Sequence, residues 1–202
     1  GIPTPRVYGI LGPDESLDLV PNKEYVVKPE RGFLGIGVLK GTGKEIAEMD
    51  FKVDHVVQEL LVDCHTKYAR HFRIVTSWRG EKWGIKEDKR ITEGIASNPA
   101  QGAVSKPCPH GRCRDMPQVH VSALKAIEDR LATVHQEKIP EIFAVGWDVM
   151  LHCGPGGTQT YVLEGNQPPS AIIIETQTNK ESREKIRKVK KSLRAWRTKF
   201  GG

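Results

Sequence analysis

The chain between residues 143 and 169 has a pattern of apolar and polar positions that predicts two β-strands. In the first strand Asp148 faces away from a set of apolar side chains that share the other face, namely Val145, Trp147, Val149 and Leu151. In the second strand Glu164 and Asn166 share a face, about 6.5–7 Å apart along the strand. The Gly- and Pro-rich segment 153–158 joins the two strands. The pattern therefore predicts a hairpin with one polar face.

Strict alternation also assigns the neighbours of Glu164. It places Val162, Glu164 and Asn166 on one face of the second strand, and Tyr161 and Leu163 on the other. If the strands pair with Asp148 on the side of Glu164 and Asn166, two carboxylates and one amide carbonyl converge. Such oxygen ligands suit Mg²⁺, which usually shares its coordination shell with substrate phosphates. The alternative is a hairpin whose solvent-facing side is polar without binding anything.

A glycine-rich segment follows a strand predicted at residues 24–29. It contains three glycines that permit unusual backbone conformations and close approach to a ligand: Gly32, Gly35 and Gly37. Consecutive backbone N–H groups in such a segment suit phosphate oxygens, and Lys28 supplies a positive charge beside them. A β-run at 37–40 follows instead of a helix, so this is not a strand-to-helix phosphate loop. The alternative is an ordinary turn between two strands.

Further strands are predicted at 7–11, 53–62 and 72–78, and an amphipathic helix at 120–138. Arg73 lies in the third of these strands among apolar residues. Because an unpaired buried guanidinium is costly, Arg73 requires an anion. That anion is either part of a ligand or a structural carboxylate.

The charge of the chain is concentrated at its C-terminal end. The net charge is +6, and residues 180–199 contain ten Lys or Arg and two Glu, so the remainder carries −2. Apolar residues recur there at helical steps, at Ile186, Val189, Leu193, Trp196 and Phe200. We therefore predict a basic amphipathic helix whose apolar stripe packs on the rest of the protein or on a partner domain. A nucleic-acid partner is disfavoured because the remainder of the chain is nearly neutral.

Hydrophobic residues make up 38% and charged residues 28% of the chain, which is typical of a soluble globular protein. No apolar run is long enough to span a membrane. The four cysteines lack a secretory context, so we expect reduced thiols and a cytoplasmic location. Residues 96–118 form a predicted Pro- and Gly-rich loop. Three of its residues have incomplete spacing for a zinc site and are left without a role: Cys108, His110 and Cys113.

Taken in chain order, these segments resemble the ATP-grasp superfamily, and most closely its sugar-transfer-associated and α-glutamate-ligase-like domains. The motifs are Lys28-Pro29, Gly-x-x-Gly-x-Gly, Val-Val-Gln58-Glu59, Arg73-Ile-Val-Thr76, Gly146-Trp-Asp148 and Leu-Glu164-Gly-Asn166-x-x-Pro. The resemblance covers residues 1–176. It implies an α+β fold with two lobes of mainly antiparallel sheet and packed helices, to which the C-terminal basic helix is added. The family also has an N-terminal domain, which we expect to be missing from this chain.

The resemblance implies three regions. Residues 1–58 would form a lead-in and the small lobe with the phosphate loop, and residues 59–176 the larger lobe with the Mg²⁺ and phosphate site. Residues 177–202 would form the basic helix.

The resemblance also implies roles for individual residues in binding ATP. Lys28 would contact the α- and β-phosphates, and the loop containing Gly32, Gly35 and Gly37 would cover the triphosphate. Gln58 and Glu59 would lie at the hinge between the lobes, where Glu59 and the main chain around Leu61 would meet adenine. Asp63 or His65 would reach the ribose.

The chemistry implied by the resemblance is assigned to four residues. Arg73 would pair with the γ-phosphate or with an acyl-phosphate intermediate. Mg²⁺ would be held by Asp148, Glu164 and Asn166. The implied function is an ATP- and Mg²⁺-dependent ligase that joins an unidentified carboxylate to an amine or another nucleophile, or the ATP-binding portion of such an enzyme. The alternatives are a non-catalytic nucleotide-binding module and an interaction protein that acts through the basic helix.

Overall fold

The computed structural model describes residues 1–31, 36–62, 70–90, 104–107, 116, 118–154, 157–166 and 180–200. Within these ranges the chain forms nine strands and three helices. The strands belong to two sheets, and every strand pair is antiparallel. No helix in the described ranges is long and apolar enough to cross a membrane.

The N-terminal sheet has four strands in the order β1-β4-β2-β3. They are β1 (Val7–Leu11), β2 (Glu24–Pro29), β3 (Leu39–Thr42) and β4 (His55–Glu59). Helix α1 (Gly43–Ala47) begins directly after β3. Thr42 caps it, because its hydroxyl accepts the N–H of Glu45 while the Glu45 carboxylate accepts the N–H of Thr42. This sheet has its own apolar core, formed by Leu11, Tyr25, Val27, Ile46, Phe51 and Val57.

The C-terminal sheet has five strands in the order β7-β6-β5-β8-β9. They are β5 (Arg70–Ser77), β6 (Lys82–Arg90), β7 (Val104–Pro107), β8 (Ala144–Gly154) and β9 (Gly157–Asn166). Helix α2 (Gln118–Lys138) packs its apolar stripe on one face. The resulting core contains Phe72, Ile74, Leu124, Ile127, Leu131, Val149, Leu151 and Val162. The opposite face of this sheet carries the polar residues of interest.

The third helix, α3 (Lys180–Phe200), packs on the turns beside the C-terminal sheet. The indole N–H of Trp78 donates to the hydroxyl of Ser192, and the indole N–H of Trp196 donates to the carbonyl oxygen of Glu141. Phe200 lies edge-to-face on Trp78, with ring centroids 5.7 Å apart. The apolar stripe of this helix therefore contacts the same chain.

The N-terminal residues connect the two sheets. The carbonyl oxygen of Pro3 accepts the N–H of Val162 on β9, and the carbonyl oxygen of Arg6 accepts the N–H of Glu59 on β4. The chain therefore runs from the C-terminal sheet to the N-terminal sheet before β1, and it returns to the C-terminal sheet after β4.

The expectations for segment 96–118 and for the oxidation state of Cys153 are wrong in the described ranges. The segment 96–118, predicted as a loop, contains β7, which pairs with β6. Turn-forming residues around a four-residue strand hide its periodicity, and the pairing with a distant strand decides the conformation. Cys153 is disulfide-bonded, so the expectation of reduced thiols is wrong for this residue.

Candidate functional site

The candidate site begins with an ion pair between the two central strands of the C-terminal sheet. Arg73 on β5 lies directly opposite Asp148 on β8. Its Nε donates to Oδ1 of Asp148 over 2.7 Å, and its Nη2 donates to Oδ2 over 2.6 Å. Both residues are buried, with 9% and 2% of their surface exposed. The anion that Arg73 requires is therefore a structural carboxylate, which was one of the two alternatives that the sequence left open.

Glu164 and Asn166 on β9 join this pair. Glu164 lies opposite Asp148, and Asn166 lies opposite Gly146. The Asn166 amide N–H group donates to Oε1 of Glu164 over 3.0 Å and to Oδ2 of Asp148 over 3.4 Å. The structure thus brings together the three oxygen-bearing side chains that the sequence proposed as one group.

The alternation predicted for β9 is wrong at one point. Asp148 lies opposite Glu164, but the next residue, Val149, lies opposite Val162. One residue of β9, Leu163, is therefore extra, which is the definition of a β-bulge. As a result Val162 is buried in the core with 7% exposure, whereas Glu164 lies on the polar face with Asp148.

The residue after Glu164 must be small. A Cβ atom built on Gly165 would lie 3.2 Å from the indole ring of Trp147 and 3.4 Å from Val145. The neighbours would have to move by a few tenths of an ångström to admit a larger residue. Because Gly165 has no side chain, β9 passes close to the Trp147 ring at the position between Glu164 and Asn166.

Lys28 approaches this group from the N-terminal sheet. It is half-buried on β2, and its pKa is lowered from its ordinary value mainly because burial disfavours the ammonium. The carboxylate of Glu164 is close enough to oppose that shift by favouring the charged form. Lys28 on the N-terminal sheet thus interacts electrostatically with Glu164 on the C-terminal sheet. We call Lys28, Arg73, Asp148, Glu164 and Asn166 the inter-sheet site.

The predicted hinge residues lie on different faces. Gln58 is opposite Val26, so alternation places it on the face of the N-terminal sheet that carries Lys28. Glu59 is opposite Tyr25 on the other face, and its Oε2 accepts the N–H of Arg6 over 3.4 Å. Leu61 is buried with 6% exposure.

One of the three predicted loop glycines lies in the described ranges. Gly37 has a φ of 77°, in the region that favours glycine, and a Cβ there would lie 2.9 Å from the Pro29 ring. The others, Gly32 and Gly35, lie outside the described residues, as do Asp63 and His65. Three further residues left open by the sequence also lie outside them: Cys108, His110 and Cys113.

His152 on β8 was not among the site residues predicted from the sequence. Its Nδ1 lies 2.9 Å from the carbonyl oxygen of Val62, in the segment that follows β4. The same alternation that places Asp148 on the polar face of β8 places His152 four residues further along on that face. That signal was present in the sequence, but the partner is a backbone carbonyl ninety positions away, which no local pattern indicates.

The donor set suits a hard cation more than a zinc-type site. No group of three or more His, Cys, Asp or Glu side chains that could hold a metal occurs in the described part of the chain. The set here is two carboxylates and one amide. Because each carboxylate oxygen has two lone pairs, Asp148 retains acceptor capacity while it accepts two hydrogen bonds from Arg73. The amide of Asn166 presents its oxygen instead of its nitrogen after half a turn about its Cβ–Cγ bond.

No family model and no curated protein matches the sequence. Among solved structures, the chain is similar to phosphoribosylamine–glycine ligase from Thermotoga maritima, with a TM-score of 0.58 and 19% sequence identity. The match covers 96% of this chain and 51% of the other. The fold is of the ATP-grasp kind.

This similarity confirms the fold class predicted from the sequence at the level of the overall fold. It also shows that the chain spans about half the length of the solved ligase. The closer resemblance to sugar-transfer-associated or α-glutamate-ligase-like domains, and the missing N-terminal domain, stay predictions.

Proposed function

We propose that this chain is the ATP- and Mg²⁺-binding part of a ligase that joins a carboxylate to an amine or another nucleophile. The observation that carries the proposal is the favourable electrostatic interaction of Lys28 on one sheet with Glu164 on the other, where Glu164 lies beside Asp148 and Asn166. A cation facing a group of oxygen ligands is the arrangement that a metal-bound polyphosphate requires. The boundary between the two lobes is proposed at residues 58 and 59.

The residues present fit Mg²⁺. Asp148, Glu164 and Asn166 would hold it, and the bound ion would neutralise phosphate charge and stabilise the charge of the transferred phosphoryl group. Arg73 orients the Asp148 carboxylate through two hydrogen bonds, as outer partners of metal-ligating carboxylates do. The amide N–H group of Asn166 lies between the two carboxylates and reduces their repulsion.

The remaining residues would bind the nucleotide. Lys28 would contact phosphate oxygens, and the backbone around Gly37, with Gly32 and Gly35, would cover them. Gln58, Glu59 and Leu61 would lie along the base, with Asp63 near the ribose. Two donors of the Arg73 guanidinium are engaged by Asp148, so its proposed contact with the γ-phosphate would have to use others.

The proposed reaction transfers the γ-phosphoryl group of ATP to a carboxylate, which releases ADP and forms an acyl phosphate. A nucleophile then attacks the acyl carbon and displaces phosphate. The inter-sheet site has the charged groups needed to hold and neutralise phosphates, so its contribution would be positioning and electrostatic stabilisation. The solved relative is named as a ligase of phosphoribosylamine and glycine, an amine and an amino acid. That name supports the class of reaction, while the acid and amine used by this chain stay undefined.

The proposal predicts that ATP raises the midpoint of thermal unfolding and that Mg²⁺ raises it further. A ligand that binds only the folded state stabilises it by about 2.7 kcal/mol at one hundred times its Kd. For a chain of this length, that corresponds to a shift of about 5–10 °C. Differential scanning calorimetry with ATP, with ATP and Mg²⁺, and with Mg²⁺ alone measures the effect. An unchanged midpoint with millimolar ATP, ADP and GTP would contradict the proposal.

A second experiment distinguishes a ligase from a non-catalytic nucleotide-binding module. Hydroxylamine traps acyl phosphates as hydroxamates, so the protein is incubated with ATP, Mg²⁺, hydroxylamine and pools of carboxylic acids. Acid-dependent release of ADP together with a hydroxamate supports the ligase. ATP binding without either product for any pool favours the module.

A further inference from the structure

The segment that leads from β4 toward the C-terminal sheet, residues 60–62, is held by a side chain from β8. Nδ1 of His152 lies 2.9 Å from the carbonyl oxygen of Val62. Because a carbonyl oxygen only accepts hydrogen bonds, Nδ1 carries the hydrogen and donates it. We call residues 60–62 the connecting segment. The hydrogen bond from His152 holds this segment against the C-terminal sheet.

The imidazole of His152 is itself restrained. It lies edge-to-face against the ring of Tyr161 on β9, with centroids 5.8 Å apart and an interplanar angle of 78°. The Tyr161 hydroxyl donates to Oε1 of Gln159 over 3.0 Å. Because β8 and β9 are paired along their length, the ring donates to the connecting segment from a defined position.

The other end of the connecting segment is also fixed. The N–H of Glu59 donates to the carbonyl oxygen of Arg6 over 2.8 Å, and the N–H of Arg6 donates to Oε2 of Glu59 over 3.4 Å. Leu61, in the middle, is buried with 6% exposure. Because both ends and the middle of the segment are held, its backbone N–H and C=O groups point in fixed directions.

His152 also has a fixed relation to the inter-sheet site. Residues 148, 150 and 152 of β8 share one face, and four residues of strand span about 13 Å. A nucleotide with its phosphates beside Asp148 would reach the connecting segment if its base extends along β8 toward residue 152. One strand would then set the positions of both the phosphates and the base.

We propose that His152 is a positioning residue for the base of the bound nucleotide, an inference that rests on the proposed function. It holds the Val62 carbonyl, and through it the backbone groups of the connecting segment that pair with the purine edge. Adenine presents an amino donor at its sixth position, where guanine presents a carbonyl acceptor. A backbone with fixed donors and acceptors therefore accepts one of these bases and rejects the other.

The experiment compares three variants of the full chain with the wild type. His152→Leu removes the donor and keeps an apolar side chain, whereas His152→Asn keeps an N–H donor close to the position of Nδ1. Tyr161→Phe is the control, because it removes only the hydroxyl bond to Gln159. Calorimetric titration with Mg²⁺ measures Kd for ATP, for GTP and for inorganic tripolyphosphate, which has no base. Hydrogen exchange of the amides of residues 61 and 62 is followed in the protein without nucleotide.

We expect His152→Leu to weaken ATP binding about two- to tenfold, the range for one hydrogen bond, and to lower the preference for ATP over GTP. Its affinity for tripolyphosphate stays unchanged, and exchange at residues 61 and 62 becomes faster while exchange in α2 does not. His152→Asn restores the preference for ATP, and Tyr161→Phe leaves it unaltered.

Three other results would overturn the inference. Equal weakening of ATP and tripolyphosphate in His152→Leu would show general damage, and unchanged ATP affinity or unchanged exchange would show that the bond has no positioning role. Those results leave the proposed function standing. A wild-type protein that binds neither ATP nor tripolyphosphate overturns the proposed function and this inference with it.

Discussion

At the scale of single residues, the most informative feature is the ion pair between Arg73 and Asp148. Burying two charges is favourable only when they are paired and hydrogen-bonded, and here both oxygens of the carboxylate accept from the guanidinium. The pair fixes the direction of the Asp148 carboxylate before any ligand binds. Arg73 was predicted to need an anion because of its position in an apolar strand, but the choice of Asp148 depends on the pairing of β5 with β8.

A second buried group, at His135, has a measurable consequence. His135 has no exposed surface, its Nε2 donates to the carbonyl oxygen of Ile142 over 2.7 Å, and its Nδ1 accepts the hydroxyl hydrogen of Thr76 over 2.7 Å. The pKa of His135 is lowered mainly because burial disfavours the imidazolium, although the Ile142 carbonyl and Glu141 oppose the shift.

We expect this lowered pKa to make stability fall in acid. Above pH 6.5 His135 is neutral in both the folded and the unfolded chain, so its contribution is constant. As the pH falls through 6.5, the unfolded chain takes up a proton that the folded protein resists, and stability is lost until the pH reaches the lowered folded pKa. Urea unfolding of the wild type and of His135→Gln between pH 8 and pH 5 measures this loss.

The variant should be about 1–3 kcal/mol less stable at pH 7.5 because buried hydrogen bonds are disturbed, and the difference should shrink toward pH 5. Thr76→Val is the control, since it removes the hydroxyl but leaves the titrating ring and should keep the pH dependence. If the free energies of unfolding of the wild type and of His135→Gln ran parallel between pH 8 and pH 5, His135 would not contribute to the pH dependence of stability.

At the scale of elements, helix α3 combines a docked apolar stripe with exposed basic residues. Trp196 donates to the Glu141 carbonyl and lies against Phe143, with ring centroids 6.0 Å apart. Arg194 on the same helix is exposed. We expect Trp196→Ala to lower the free energy of unfolding by about 1–3 kcal/mol, less than for a fully buried aromatic residue, and Arg194→Ala to change it by less than about 0.5 kcal/mol.

Urea unfolding of both variants, and of the chain without residues 180–202, checks this prediction. Equal, small effects at both positions would show that the helix does not depend on its apolar contacts. If removal of the helix left unfolding unchanged but abolished salt-sensitive binding of nucleic acid, the alternative of an interaction protein would gain support.

The β-bulge in β9 shows the limit of prediction for an element. Alternation predicted correctly that Asp148 faces away from Val149, and that Glu164 and Asn166 share a face, whereas their approach to Asp148 was conditional on how the strands pair. It failed at Val162, because the extra residue Leu163 reverses the face between Val162 and Glu164. A bulge depends on the register with the partner strand, so the sequence of β9 alone does not indicate it.

At the scale of the whole molecule, two sheets have separate apolar cores, and the inter-sheet site takes residues from both sheets. Lys28 belongs to one sheet and Glu164 to the other, and each would contact a different part of the same metal-bound nucleotide. Substitutions at the two positions should therefore differ in their dependence on metal.

We expect Glu164→Gln to weaken ATP binding in the presence of Mg²⁺, while binding without Mg²⁺ changes little. Lys28→Ala should weaken ATP binding with and without Mg²⁺, because its proposed contact is with phosphate directly. Because Glu164 is exposed, its variant should keep the stability of the protein without nucleotide within about 0.5 kcal/mol. Calorimetric titration of ATP at zero and at millimolar Mg²⁺ distinguishes the two patterns. Equal and metal-independent losses at both positions would contradict the proposed Mg²⁺ ligands.

The sequence by itself determined most of the elements and the types of residue available to a site. The run 24–29 coincides with β2, and the repeats in 120–138 and after residue 180 predicted helices that are present as α2 and α3. These features follow from local periodicity, which depends only on the order of side chains along the chain. The oxygen-bearing side chains of the site were recognised for the same reason.

Only the tertiary structure decided which of these residues interact. The two hydrogen bonds from Arg73 to Asp148, the electrostatic interaction of Lys28 with Glu164 and the hydrogen bond from His152 to Val62 each join residues 75 or more positions apart. Such contacts depend on strand register, on a bulge and on how two sheets lie against each other. Those relations arise from the packing of the whole chain, because no local segment contains both partners.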